Sequence, residues 1–108
     1  MKSTQLTRGR GKRLMYIENK DGLLAGQPAW IGWATFSKTG RTVYYKRRSL
    51  RSIAGGCIRG NFMDCETGEE YWVSGVKTRG SNVHRAALGI APVVDDDAKL
   101  EYERITSR

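Results

Sequence analysis

Covalent, metal-dependent and phosphate-cradling chemistry would each draw on very few residues in this 108-residue chain. Cys57 and Cys65 are its thiols and His84 its one histidine, so nucleophilic catalysis has a single kind of Cys–His pairing to use. A histidine in a polar, glycine-containing loop is ordinarily solvated. The same three residues would give zinc only three soft ligands, and the cysteines form no CxxC, so both thiols are expected to be free and buried. Asp64, Glu66, Glu69 and Glu70 surround an expected hairpin tip, and Asp95, Asp96 and Asp97 stand where a helix is expected to begin. Neither set has the spacing of a calcium loop. Gly9-Arg10-Gly11-Lys12 lacks both the preceding apolar strand and the Ser or Thr that a P-loop places after its Lys. The expectation is a chain with no catalytic residues, no metal and no cofactor, and so not an enzyme.

Binding is the chemistry that the residues support. Lys and Arg number 19 against 11 Asp and Glu, a formal charge of +8. Lys2, Arg8, Arg10, Lys12 and Arg13 all fall in residues 1–14, which contain no acid. That segment is too polar to order itself and reads as a flexible basic tail, with an Arg8-Gly9-Arg10-Gly11 run of the kind that binds nucleic acid loosely. The stretch Leu23 to Met63 is also free of acids and holds Lys38, Arg41, Lys46, Arg47, Arg48, Arg51 and Arg59. Lys46, Arg47, Arg48 and Arg51 follow directly on Tyr44 and Tyr45, and Lys77, Arg79 and Arg85 share a later loop. Cations draw phosphates and release their counterions, while aromatic rings stack bases. Tyr44, Lys46, Arg47, Arg48, Arg51, Lys77, Arg79 and Arg85 are therefore the expected nucleic-acid-binding residues, with DNA or RNA as partner. A solvated basic face that pairs with acidic strands across a sheet is the plainer account of the same charges. The alternative function is a protein-interaction or regulatory module whose aromatic sheet edge docks a partner by strand addition.

The elements that must carry these residues are mostly strands. Thirteen glycines, two prolines and ten Trp, Tyr and Phe residues describe a turn-rich chain of short strands. Leu14–Glu18 reads as a strand closed by the turn Asn19–Gly22, with Met15 either a core residue or an alternative start. Trp30–Phe36 and Arg41–Lys46 form a hairpin around Ser37-Lys38-Thr39-Gly40, and 61–65 and 70–74 form a second around Glu66-Thr67-Gly68-Glu69. Ser49–Ile53 offers a further short strand, and Gly55-Gly56 a sharp bend. Trp30, Trp33, Tyr45 and Trp72 are read as core, and Gly75–Ala91 as a long loop. Ala98, Tyr102 and Ile105 recur at helical spacing after Asp95, an expected N-cap. The result is a single mainly β domain over residues 15–108, with about five strands in a small SH3-like barrel or strongly bent antiparallel sheet and a short C-terminal helix. No run of about 20 apolar residues could span a membrane. Two cysteines and no secretory signal place the chain in a reducing cytoplasm.

Three segments resemble a group of small uncharacterised bacterial proteins that often carry the name deoxyxylulose-phosphate synthase: Met15–Glu18, Ala29–Tyr45 and Glu66–Gly75. The TFSKTG and ETGEEYW words carry the likeness, which covers most of residues 15–105 and begins at Met15. It implies a shared fold. It supplies no catalytic residues, because a thiamine-diphosphate synthase needs a large two-domain site for its cofactor.

Overall fold

A computed structural model describes residues 12–76 and 91–106. Seven strands are present: β1 (Lys12–Asn19), β2 (Ala29–Phe36), β3 (Thr42–Tyr45), β4 (Arg48–Ser52), β5 (Phe62–Asp64), β6 (Glu70–Gly75) and β7 (Val93–Val94). A short 3-10 turn, Asp96–Ala98, leads into α1 (Lys99–Thr106). Strands β1 to β6 pair antiparallel with their neighbours in chain order, and β6 returns to β1, so the sheet closes into a barrel. The mainly β, small-barrel expectation holds, with six barrel strands and the extra β7. Lys12 and Arg13, expected in the tail, are instead the first residues of β1, paired with Thr35 and Ala34.

Alternation along the strands builds two apolar layers. Ile17, Ala34, Val43, Tyr45, Leu50, Tyr71 and Val73 fill the barrel, joined by Leu24 from the β1–β2 connection, with Met15, Trp30, Phe36 and Phe62 packed around them. Met15 is thus an inner-layer residue. Tyr16, Ala29 and Ile31 face the other way and are covered by Leu14, Trp72, Val94 and Tyr102. Strands β1 and β2 are therefore apolar on both faces, which is why Trp30–Phe36 reads as an almost unbroken hydrophobic run.

β2 shares its second edge between two partners. β3 pairs with Thr35 and Phe36, and β7 runs parallel beside Trp30 and Ile31. Asp95 lies just past β7, its N–H bonded to the carbonyl of Ile31 at 2.9 Å. Its carboxylate does not cap the following helix, as the sequence led us to expect; it turns inward to the hydroxyl of Tyr45 and to Lys46 Nζ. Donors on the barrel, the Tyr45 hydroxyl and the Lys46 ammonium, take its two oxygens in place of the helix N–H groups.

Candidate functional site

The basic run after Tyr44 does not form one surface. Tyr45 and Arg48 are directly paired, so Lys46 and Arg47 are the two central residues of a tight hairpin with φ of 46° and 66°. Such turns usually announce themselves as Asn-Gly, and Lys-Arg hid this one. The hairpin then sends the four cations in different directions. Lys46 Nζ lies 3.0 Å from the Asp95 carboxylate and 3.9 Å from the centre of the Trp30 ring. The ammonium expected to meet a phosphate is thus paired with a carboxylate of the chain itself. Arg48 shares the inner face with Tyr45 and Leu50, and its Nη1 lies 3.6 Å from Asp64 Oδ2. Asp64 has a side chain only 1% exposed, and Oδ2 has no hydrogen-bond donor of its own. Arg48 therefore neutralises a buried carboxylate, so it too has a partner within the chain.

Tyr44, Arg47 and Arg51 remain exposed. Arg47 sits at the end of the barrel where β1, β3 and β5 finish, among the acids of that end: Asp21, Glu66 and Glu69 on the surface of the turns, Asp64 and Glu70 buried. The acids there are already engaged. The Asp21 carboxylate accepts the Glu70 N–H at 2.6 Å and pairs with Arg59, and Glu70 accepts the N–H groups of Arg59 and Gly60 at 2.6 and 3.0 Å. Asn19 bridges Glu69 and the Tyr71 hydroxyl, both at 3.2 Å.

Arg51 belongs to the opposite end, where β1 and β3 begin and β2, β4 and β6 finish. Lys12 and Arg13 open β1 there, Lys38 and Arg41 flank the β2–β3 turn, and Arg51 stands opposite Thr42, with the next N–H, that of Ser52, bonded to the Arg41 carbonyl at 2.7 Å. Among the described residues none of these five cations enters an ion pair. Lys12 lies over the Trp33 ring, 5.5 Å from its centre, and Arg13 over Phe36 at 5.3 Å. The indole N–H of Trp33 donates to the Asp97 carbonyl at 3.0 Å, which holds that ring upright beside Lys12. Residues 1–11, which precede β1, and residues 77–90, which lie between β6 and β7, carry Lys2, Arg8, Arg10, Lys77, Arg79 and Arg85 and no acid. Lys77, Arg79, Arg85, His84 and the tail 1–11 lie outside the described residues.

Tyr44 lies on the wall leading from this basic end. Lys12, Thr35, Tyr44 and Ser49 occupy one register row across four strands on the outward face. Tyr44 is 45% exposed and its hydroxyl has no hydrogen bond among the described residues. Next to it a surface hollow of about 290 Å³ is lined by Arg51, Ile53, Met63, Asp64, Cys65 and Gly68. Lys12 and Arg13 were expected to act as part of the basic tail, whereas Lys38 and Arg41 stand at this end although sequence reasoning put neither in its expected set. The signal that could have found them was the acid-free stretch itself, combined with the antiparallel pairing that brings the start of β1 to the β2–β3 turn.

The remaining chemistry is plain. Cys65 is exposed, contrary to the buried thiol expected, because it follows β5 at a surface turn where its N–H bonds the Ser49 carbonyl. Cys57 is half-buried; desolvation first, then the charges of Glu70 and Asp21, push its thiol above the ordinary value of 9.0. A nucleophilic thiolate needs the opposite shift. Among the described residues no three His, Cys, Asp or Glu side chains are grouped to hold a metal ion, and no helix is long and apolar enough to cross a membrane. Strand addition finds little purchase on the barrel wall, since each of β1 to β6 has a partner on both sides. No protein-family model, curated protein or solved structure matches this chain.

Proposed function

We propose that this barrel is a non-catalytic module that binds nucleic acid at its basic end. The observation that carries the reading is the gathering of Lys12, Arg13, Lys38, Arg41 and Arg51 around one end, with no ion pair to any of them among the described residues. Elsewhere among the described residues most cations are paired, Lys20 with Glu18, Lys46 with Asp95, Arg48 with Asp64, Arg59 with Asp21, Lys99 with Asp96 and Arg104 with Glu101, and Arg47 alone is not. Uncommitted, solvated cations are the ones that can exchange counterions for phosphates. The exposed cations of this end attract a polyanion, while the turns of the opposite end carry Asp21, Glu66 and Glu69. A reducing, cytoplasmic setting is part of the same proposal, and the free Cys57 and Cys65 agree with it.

The test is binding of a labelled oligonucleotide to the full chain across a salt series, alongside a variant carrying Lys12→Ala, Arg41→Ala and Arg51→Ala. The expected result is affinity that falls steeply as salt rises and a clear loss in the variant at every salt concentration. No binding at low salt, or equal binding by the variant, would overturn the proposal.

A further inference from the structure

We infer that the nucleic acid taken at the basic end is single-stranded, with one base stacked on Tyr44 and a neighbouring base turned into the hollow beside Arg51 and Met63. The inference rests on the proposed function and adds the form of the ligand and its path. Stacking on a side chain needs a base whose face is free, which a duplex offers only at its ends. Tyr44 presents such a platform. It projects outward from β3, and its two partners in the register row, Thr35 and Ser49, carry only short hydroxyl side chains, so the ring is not overhung from the neighbouring strands. Those hydroxyls supply donors and acceptors on either side of a stacked base.

Cations frame the ring on two sides. Lys12 lies two strands away in the same row, about 10 Å across the sheet, and Arg51 occupies the diagonal position on β4, about 7 Å away. Both side chains are exposed, and neither is held by an acid among the described residues. A backbone crossing β2, β3 and β4 would therefore meet a cation before and after the stacked base. The hollow begins where the row ends: Arg51 forms one side and Met63, its partner on β5, another. The hollow is lined by Arg51, Ile53, Met63, Asp64, Cys65 and Gly68, so a base entering it would meet Arg51 and Met63 on one side and the β5–β6 turn on the other. Reading bases in a double helix would instead require an element that enters a groove, and the described residues place no helix beside Tyr44.

The decisive comparison uses fluorescence anisotropy with a thymidine oligomer of about twelve nucleotides, a length within the usual site sizes of small barrels, and a blunt duplex of the same length. The full chain should bind the single strand at least tenfold more tightly. Tyr44→Ala should lose about tenfold for the single strand and little for the duplex, while Tyr44→Phe keeps the ring and binds like the parent. Tyr44 is exposed, so both variants should retain the parent's circular dichroism spectrum and melting point. Equal affinity for the two probes, or Tyr44→Ala binding like the parent, would overturn the inference while leaving salt-dependent binding in place. Failure of both probes to bind at low salt would remove the proposed function itself.

Discussion

The carboxylate of Asp95 accepts the hydroxyl proton of Tyr45, 50 residues earlier in the chain, and the pair closes over the bare Cα of Gly32. This contact fills the place on the β2 edge where β3 has ended and β7 has begun, and it fastens the C-terminal segment to the barrel. A Cβ at position 32 would overlap the Asp95 carboxylate and come within 2.6 Å of the Tyr45 hydroxyl and 2.9 Å of its ring. Gly32→Ala should therefore cost about 2 kcal/mol, by displacing the tyrosine and breaking its hydrogen bond. The thermal midpoint should drop by about 10 °C for a domain of this size. Tyr45→Phe, which removes only the hydroxyl and leaves Asp95 with Lys46, should cost about 1 kcal/mol. Thermal unfolding followed by circular dichroism checks both, and a Gly32→Ala variant that melts with the parent would disprove the contact.

Alkaline pH should act on the same tyrosine. Burial first, and then the hydrogen bond and charge of Asp95, hold the Tyr45 phenol well above its ordinary 10.0. Tyr71 moves the same way, through burial and then the charge of Asp64. In both cases the folded protein holds the proton more tightly than the unfolded chain does. Their stabilising contribution is thus complete below about pH 10 and is lost as pH rises beyond the unfolded phenol value. Urea midpoints measured from neutral pH upward should stay level with respect to these groups and then fall steeply above about pH 10. Tyr45→Phe should fall less steeply there than the parent. Parallel curves for the two proteins would contradict the assignment.

Three arginines that look alike in sequence should separate by experiment. Arg48 is 36% exposed at its side chain but neutralises an Asp64 that is 1% exposed, so Arg48→Ala strands a buried carboxylate and should destabilise the fold by about 2 kcal/mol. Arg51→Ala removes an exposed, unpaired cation and should leave the melting point within about 0.5 kcal/mol of the parent. Arg47 occupies a turn position with φ of 66°, where a side chain is strained, so Arg47→Gly should be neutral or stabilise by up to about 1 kcal/mol. Denaturant titrations of the three variants order them. An Arg48→Ala protein as stable as the Arg51→Ala protein would show that Asp64 does not depend on Arg48.

The barrel was legible because its strands alternate and its turns are marked. Gly40 and Gly68, with φ of 78° and 76°, close the two hairpins where Thr-Gly stands in the sequence, and Ala98 and Tyr102 anchor the helical segment to β2 and the outer layer. The direction in which each cation points was not legible. It depends on strand parity, and parity after Tyr45 hinges on a two-residue turn that carries no glycine, so Arg48 is read as outward if the hairpin is missed, although the pairing turns it inward. Long-range partners were equally hidden: nothing local to Lys46 indicates Asp95, and nothing local to Asp95 favours Tyr45 over the helix it precedes. Lys12 and Arg13 were assigned to a tail because charge was the only property visible there. Pairing with β2 gives them a strand.

The placement of the cations leads to a map that composition cannot supply. If nucleic acid binds at the basic end, each phosphate-contacting cation contributes roughly 0.7 to 0.9 to the slope of log affinity against log salt, the lower figure applying to single strands. Single replacements of Lys12, Arg13, Arg41 and Arg51 by Ala should each reduce that slope by somewhat less than one, with a modest loss of affinity. Arg47→Ala should leave it unchanged, although Arg47 carries the same charge and is also exposed, because it stands at the acidic end beside Glu66 and Glu69. Lys46→Ala should also leave the slope unchanged but lower the melting point, since its partner is Asp95 and not a phosphate. Net charge alone would make all six variants equivalent. A slope that responds to Arg47 as strongly as to Arg51 would therefore place binding in the overall field of the protein and remove the basic end as its site.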